Sequence, residues 1–356
     1  MTSIKKYDVI VIGGGQSALA CGYFLRRTPL SYVLLDNQTV LGGSWTHMWK
    51  SLTLFSPAGY SSLPGKLMPD AKDKYPTRQH TVDYLNEYET RYEIPVERPV
   101  NVISVRKNSD GFLLETSNGE YIAKVVISAT GTWSAPFIPA VDGIDHYKGK
   151  QLHSSEYFSP ESFIGQKTLI IGGGNTGAQL LAELSLVTKT IWSTLTPPSF
   201  LPDEVDGRVL FDIATAKYNA EKAGKSFDPN QYSLGNIVMV PPLLDARKRG
   251  VLVSKGNIQS LTSYGVVWDS GEQEAFDVVL WCTGFRYATR HLSGLVSIEE
   301  DGKIKTSGTR AIEQPGLWLI GYGNWTGFAS ATLIGVGRSA RSTVHEIQQY
   351  LITILS

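Results

Sequence analysis

Two glycine-rich turns, each set between an apolar strand-like run and a helix-like one, constrain this chain more than any other feature. The first reads Tyr7-Asp-Val-Ile-Val-Ile12 and then Gly13-Gly-Gly15-Gln16-Ser17-Ala18. The second reads Lys167-Thr-Leu-Ile-Ile171 and then Gly172-Gly-Gly174-Asn175-Thr176-Gly177. Taken alone, a G-x-G-x-x-G run is weak evidence, but here each copy has the strand–turn–helix setting that gives it physical meaning. The first glycine permits the tight turn, and the second lets a pyrophosphate approach bare backbone. The third position must be small so that helix and strand can pack, with the helix N-terminus facing the phosphates. Two such turns imply two dinucleotides held by one polypeptide, and passing a hydride between them is the plain reason to hold both.

A chain of 356 residues is long enough for about two domains with substantial cores. Its formal net charge is zero, so there is no electrostatic case for nucleic acid or for an anionic membrane surface. The two cysteines, Cys21 and Cys282, both lie in apolar runs and form no C-x-x-C pair, which reads as buried structural thiols. Lys5 and Lys6 precede an apolar run that stops after four residues at the glycine turn, too short for a secretory signal. No run approaches the ~20 apolar residues of a membrane span. A cytoplasmic protein is expected, without a metal site.

Along the chain, the first turn opens a helix from Gln16 to about Arg27, and the strand 31–35 follows and ends in Asp36. That acid lies 21 residues past Gly15, close to the ~20 expected of a carboxylate that bonds an adenosine ribose. Residues 42–78 form a long irregular segment rich in Gly, Pro, Ser and aromatics, which points to a functional loop. A helix is expected over 81–92, and strands over 100–106, 112–116 and 121–127 with hairpin turns between them. The strand 124–127 ends in Ser128-Ala-Thr130-Gly131, and the later strand 277–281 ends in Cys282-Thr283-Gly284-Phe285. Each half thus carries a glycine turn near its start and a strand ending in Thr-Gly near its end, an internal duplication. Leu317-Trp-Leu-Ile-Gly321 reads as another buried strand, 331–351 as a closing helix, and a helix is expected around 205–222 within extra material at 199–250. The fold class is α/β, with two Rossmann-like dinucleotide-binding domains, the second inserted in the first. The expected boundaries are 1–157 with 285–356 for FAD, and 158–284 for NAD(P)H.

One motif narrows the class. Tyr147-Lys-Gly149-Lys-Gln-Leu-His153-Ser-Ser-Glu-Tyr157 resembles the fingerprint of the flavin-containing and Baeyer–Villiger monooxygenases, Phe-x-Gly-x-x-x-His-x-x-x-aromatic, with Tyr147 in place of Phe. Gly42-Gly43-Ser-Trp45 resembles the family's Gly-Gly-x-Trp stretch beside the flavin, and both Thr-Gly strand ends fit as well. The resemblance spans essentially the whole chain and is that of a short bacterial member. It implies FAD on Gly13, Gly15, Gln16, Ser17, Ala18 and Asp36, with Gly43, Trp45, Thr130, Gly131, Asn324 and Thr332 around it. It implies NADH or NADPH on Gly172, Gly174, Asn175, Thr176, Gly177, Thr283 and Gly284. His153 is expected to serve as linker structure.

By the same resemblance, the nicotinamide reduces the flavin, dioxygen adds to give a peroxyflavin, and one oxygen passes to a small organic substrate. Thioether sulfoxidation and Baeyer–Villiger oxidation of ketones are the expected reactions, the substrate and dioxygen being the partners. A homodimer is compatible with this, and the catalytic side chains stay unassigned. Trp45, Trp49, Phe55, Tyr60, Trp325 and Phe328 are candidates for a water-excluding wall, each equally at home in a core. The chain departs from the family in Leu52-Thr-Leu-Phe55-Ser-Pro57, where many members carry an Asn. Coenzyme choice is expected at the end of the second domain's second strand, where Ser193, Thr194 and Thr196 offer neither cation nor carboxylate. Loose selectivity follows, with Arg208 able to fold back toward a phosphate. Three rivals share parts of this pattern: a disulfide reductase, which needs a redox cysteine pair, an N-hydroxylase of amino-acid side chains, and a non-oxygenating NAD(P)H–flavin oxidoreductase or electron-transfer flavoprotein.

Overall fold

Val9, Ile10, Val11 and Ile12 are all buried, so the strand that carries them is covered on both faces, as the centre of a parallel sheet must be. The structure, a computed structural model, describes residues 4–226 and 235–355. In chain order it begins with β1 (Lys5–Ile12), α1 (Gln16–Leu25), β2 (Tyr32–Leu35), α2 (Arg78–Arg91), β3 (Val96–Glu97), β4 (Val102–Asn108), β5 (Gly111–Thr116) and β6 (Gly119–Ser128). There follow β7 (Lys150–His153), β8 (Thr168–Ile171), α3 (Asn175–Leu184), β9 (Thr190–Ser193), α4 (Gly207–Lys222) and α5 (Pro241–Lys248). The chain goes on through β10 (Ile258–Leu261), β11 (Gly265–Trp268), β12 (Gln273–Ala275) and β13 (Val278–Trp281). It closes with β14 (Thr306–Ser307), β15 (Arg310–Ala311), β16 (Leu317–Leu319) and α6 (Leu333–Leu355).

The chain divides into two units. The first comprises 1–46, 57–135 and 286–356. Its sheet runs parallel in the order β3–β2–β1–β6–β16, with β4 and β5 folded as an antiparallel meander onto β6. Register matters most at one end. Ile12 lies opposite both Leu35 and Ser128, and Leu319 opposite Ser128. The turns that leave these strands, at Gly13, Asp36, Ala129 and Ile320, therefore emerge side by side at the carboxyl end of the sheet, where open α/β folds bind ligands.

The second unit comprises 47–56 and 136–285. Its sheet is parallel throughout, in the order β7–β13–β8–β9, and Trp281 lies between Ile171 and His153. Again the strands end level, at Gly172, Thr194, Cys282 and Ser154. β10, β11 and β12 make a separate antiparallel sheet around Trp268 and Phe276.

Apart from a one-residue shift at Phe285, these boundaries differ from the sequence expectation in two places. The inserted unit starts at Pro136 and not at 158, because β7, which carries His153, pairs with β13 along its whole length. Residues 47–56 also belong to it. Trp49 is 8% exposed within the core built by α3, β8 and β13, Lys50 N donates to Phe158 O, and Gly207 N donates to Phe55 O at 2.7 Å. Trp49 and Phe55 are thus packing residues of the second unit, Phe55 with its ring 6.0 Å from Phe211. Helix α2 starts at Arg78, three residues before the expected start, because the Thr77 hydroxyl accepts from His80 N and caps it. Among the described residues, no helix is long and apolar enough to cross a membrane.

Candidate functional site

Both glycine turns are built alike. A methyl group on Gly13 would sit 2.6 Å from Ala129 O, and one on Gly172 would sit 2.2 Å from Cys282 O. Both residues also hold positive φ, at 119° and 134°. The first glycine is therefore forced by its neighbour strand and by its backbone. At the second glycine the surroundings open. A methyl on Gly15 would meet only Gly43 Cα, at 4.0 Å, and one on Gly174 would meet nothing within 4 Å. That open face is what a pyrophosphate approaching bare backbone requires, so the residues present fit a dinucleotide in each unit. The third positions differ. Gly177 leaves no room, since its methyl would sit 2.2 Å from Gly172 O, whereas Ala18 is accommodated and wholly buried.

In the first unit, Gln16 reaches both ways from the start of α1. Its amide accepts from Trp45 Nε1 at 2.9 Å and donates to Ala331 O at 2.7 Å. One side chain thus gathers the Gly43–Trp45 turn and the approach to α6 around the loop, and Arg78 fastens the same turn through Trp45 O and Thr46 O. Ser17 packs where a methyl on Gly321 would be, 2.1 Å from its Oγ. Asp36 is 3% exposed and lies over Gly14, whose added methyl would meet the carboxylate. Arg98 donates to Asp36 at 3.1 Å and makes a two-pronged pair with Glu89 at 2.6 and 2.9 Å. Nothing in the local sequence marks Arg98. It arrives because β3 lies beside β2, a long-range pairing.

Thr130 and Gly131 sit over a buried polar network. The Tyr322 hydroxyl bonds Ser128 Oγ and Thr130 Oγ1, each at 2.6 Å, and His291 Nε2 reaches Ser128 Oγ at 3.1 Å. Thr130 Oγ1 also donates to Ala288 O. Burial pushes the Tyr322 phenol up and holds the His291 imidazole down at about 4, so both are neutral at pH 7. Trp325 stacks on Tyr322, and its buried Nε1 has no acceptor among the described residues. Asn324 is exposed at the start of a short turn, and Thr332 caps α6, accepting from Gly335 N at 3.0 Å. The hydroxyl of Thr332 is therefore committed to the helix.

In the second unit, Asn175 has its side chain occupied. It donates to Asn236 O and accepts from Val238 N, so its side chain is not available to a ligand. Thr194 follows β9 just as Asp36 follows β2, and it too packs over the middle glycine, 3.4 Å from where a methyl on Gly173 would stand. Ser193 is 1% exposed and donates to Gly256 O, while Thr194 Oγ1 bonds Ser254 Oγ at 2.7 Å. Thr196 is exposed beyond them. Arg208 is half-exposed, with Asp206 3.9 Å away. Thr283 donates to Phe137 O, and Gly284 sits at φ 80° with open space around it.

His153 is anchored on every side. Ser155 N donates to its Nδ1, which leaves Nε2 to donate to Gly284 O at 2.9 Å, and Phe285 meets the ring edge-on. Burial lowers its pKa, fixing a neutral Nε2–H tautomer. It ties β7 to the Thr283–Gly284 turn within its unit. Cys21 and Cys282 are both buried, and burial drives their thiols up.

A family model for pyridine nucleotide-disulphide oxidoreductases matches residues 10–194. The flavin-containing monooxygenase of Stenotrophomonas maltophilia has a solved structure that is 46% identical and superposes with a TM-score of 0.89, covering 98% of this chain and all of that one. The uncharacterised oxidoreductase CzcO of Bacillus velezensis is 30% identical over 96% of this chain and 99% of its own length. The indole-3-pyruvate monooxygenase YUCCA4 of Oryza sativa subsp. japonica is 25% identical over 96% of this chain and 87% of its own.

Proposed function

The chain belongs to the flavin-containing monooxygenases of the pyridine nucleotide-disulphide oxidoreductase family, and from that premise we propose that it oxygenates small organic substrates at thioether sulfur or at a ketone carbonyl, with NADH and NADPH both serving as reductant. Flavin monooxygenases of this family use FAD and NAD(P)H. FAD supplies hydride acceptance and oxygen activation when bound.

The chain's own residues do the rest. In the first unit the Gly13–Ala18 turn receives the flavin's pyrophosphate, Asp36 its ribose, and Gln16 holds the Trp45 turn in place. In the second unit the Gly172–Gly177 turn receives the nicotinamide coenzyme's pyrophosphate. Electrons from NAD(P)H leave with dioxygen, one of whose atoms goes to the substrate and the other to water.

The observation that carries the proposal is the pairing of two open glycine turns with two inaccessible thiols. A disulfide reductase of the same architecture would need a reactive cysteine pair. Here Cys21 is wholly buried and Cys282 is 8% exposed, and both thiols are held protonated. Coenzyme choice rests on Thr194, a neutral residue where the first unit has an acid.

The decisive experiment gives the purified yellow protein NADH or NADPH, oxygen and either methyl phenyl sulfide or a cyclic ketone. Sulfoxide or lactone should form with either coenzyme. Reduced coenzyme consumed with peroxide as the sole product would overturn the oxygenase proposal. A preference of roughly a hundredfold or more for one coenzyme would overturn the dual use.

A further inference from the structure

The two units repeat one arrangement with different chemistry. In each, the residue just after the second strand lies over the middle glycine of the turn, Asp36 in one and Thr194 in the other. In each, that residue bonds a side chain brought in from beyond the same sheet edge. Arg98 follows β3 and bonds Asp36, while Ser254 bridges to Trp192 of β9 and bonds Thr194. We propose that Ser254 is a coenzyme-selecting residue, which together with Thr194 receives the 2′ position of the adenosine ribose of NAD(P)H. This deepens the proposed function above and rests on the second unit binding that coenzyme.

The proton count supports it. Ser254 Oγ accepts from Gly256 N at 3.1 Å and shares one hydroxyl proton with Thr194 Oγ1 at 2.7 Å. Two hydroxyls carry two protons, so one proton is left to donate to a ligand. Thr194 is 3% exposed, whereas Ser254 is only partly buried and is the outward member of the pair. Ser193, the nearest rival, is 1% exposed and spends its proton on Gly256 O.

A neutral donor at this place serves either coenzyme. It can give its proton to a ribose 2′-hydroxyl oxygen or to a 2′-phosphate oxygen, with no carboxylate to repel the phosphate. The neighbouring cation does not intervene. Lys255 Nζ is held by Glu272 at 2.8 Å and Glu274 at 2.7 Å and lies over the Trp268 ring. Sequence inspection passes over Ser254 because it lies sixty residues downstream of Thr194, with no motif around it.

The test is calorimetric titration of the FAD-loaded protein with adenosine 2′,5′-bisphosphate and with 5′-AMP, which reads binding without turnover. Ser254→Asp should weaken the bisphosphate relative to AMP by roughly tenfold or more, and Ser254→Arg should strengthen it by a similar factor. Ser254→Thr should restore the native ratio. A merely structural role would move both affinities together, so ratios within about twofold of native in both charged variants would overturn the proposal. Should one of them fail to fold, the other still decides. The outcomes also separate from those of the proposed function. A shifted ratio in a protein that oxygenates nothing would retain Ser254 and discard the oxygenase, while productive oxygenation with unmoved ratios would do the reverse.

Discussion

At the scale of single residues, the acid over the first unit's glycine turn sits in an ionic cluster, and its neutral counterpart in the second unit does not. Arg98 holds Asp36 and Glu89, which are 3% and 8% exposed. Removing one partner from such a buried cluster strands the remaining charges, at a cost of about 3–5 kcal/mol. Arg98→Ala should therefore lower the unfolding midpoint sharply and release FAD, read by thermal melting and by the flavin absorbance left after gel filtration. An unchanged midpoint with full flavin would show that Arg98 does not support Asp36. The place of Asp36 over the glycine turn could be foreseen, since spacing from that turn marks it. The contacts of Arg98, Tyr322 and Ser254 could not, because each is made through a pairing or a network that no local pattern encodes.

At the scale of elements, the two strand–turn–helix units differ in how closely the helix sits on its strand. Ala18 is buried without conflict at the third position of the first turn, whereas a methyl at Gly177 would strike Gly172 O. Gly177→Ala should push α3 off β8 and abolish reduction by NAD(P)H while the protein stays yellow, a split read by stopped-flow reduction against flavin content. Loss of flavin together with reduction would contradict the division of labour between the units. A similar test applies to α4, whose first residue has no room for a side chain. A methyl on Gly207 would sit 2.6 Å from both the Phe55 ring and Ser56 Cβ, and overpacking of this kind costs about 1–3 kcal/mol. Gly207→Ala should loosen residues 47–56 and speed their amide exchange. Protection unchanged from native would rule out that contact as their anchor. Most strands and helices could be placed from hydrophobic pattern and turn residues alone. β3, β7, β10, β11, β12, β14, β15 and the short helix α5 escaped. Strands as short as β2 and β8 were placed only because a glycine turn or an acid at a fixed spacing stands beside them.

At the scale of the whole molecule, the double architecture was legible because it is repeated, and the membership of individual segments was not. Residues 47–56 follow the Gly-Gly-x-Trp turn of the first unit, yet Trp49 buries itself in the core of the second. Which hydrophobic surface a loop aromatic finds is decided by packing across the chain and leaves no trace in its neighbours in sequence. The molecule also has a defined acid limit. His153 and His291 are held neutral by burial, His291 down to about 4, while in the unfolded chain each takes a proton near pH 6.5. The stability they allow is complete above about pH 6.5 and is lost as pH falls toward 4. Each proton bound only by the unfolded chain costs about 1.4 kcal/mol per pH unit. The unfolding midpoint should fall over that interval, and His291→Asn should flatten the slope; a slope identical to native would remove His291 as a cause.

Burial of both sulfurs has a practical corollary. The native protein should be silent toward aromatic disulfide reagents and maleimides until denatured, so a cysteine introduced on its surface would take up a fluorophore alone. Paired dyes could then be attached at chosen positions on each unit without first deleting Cys21 or Cys282.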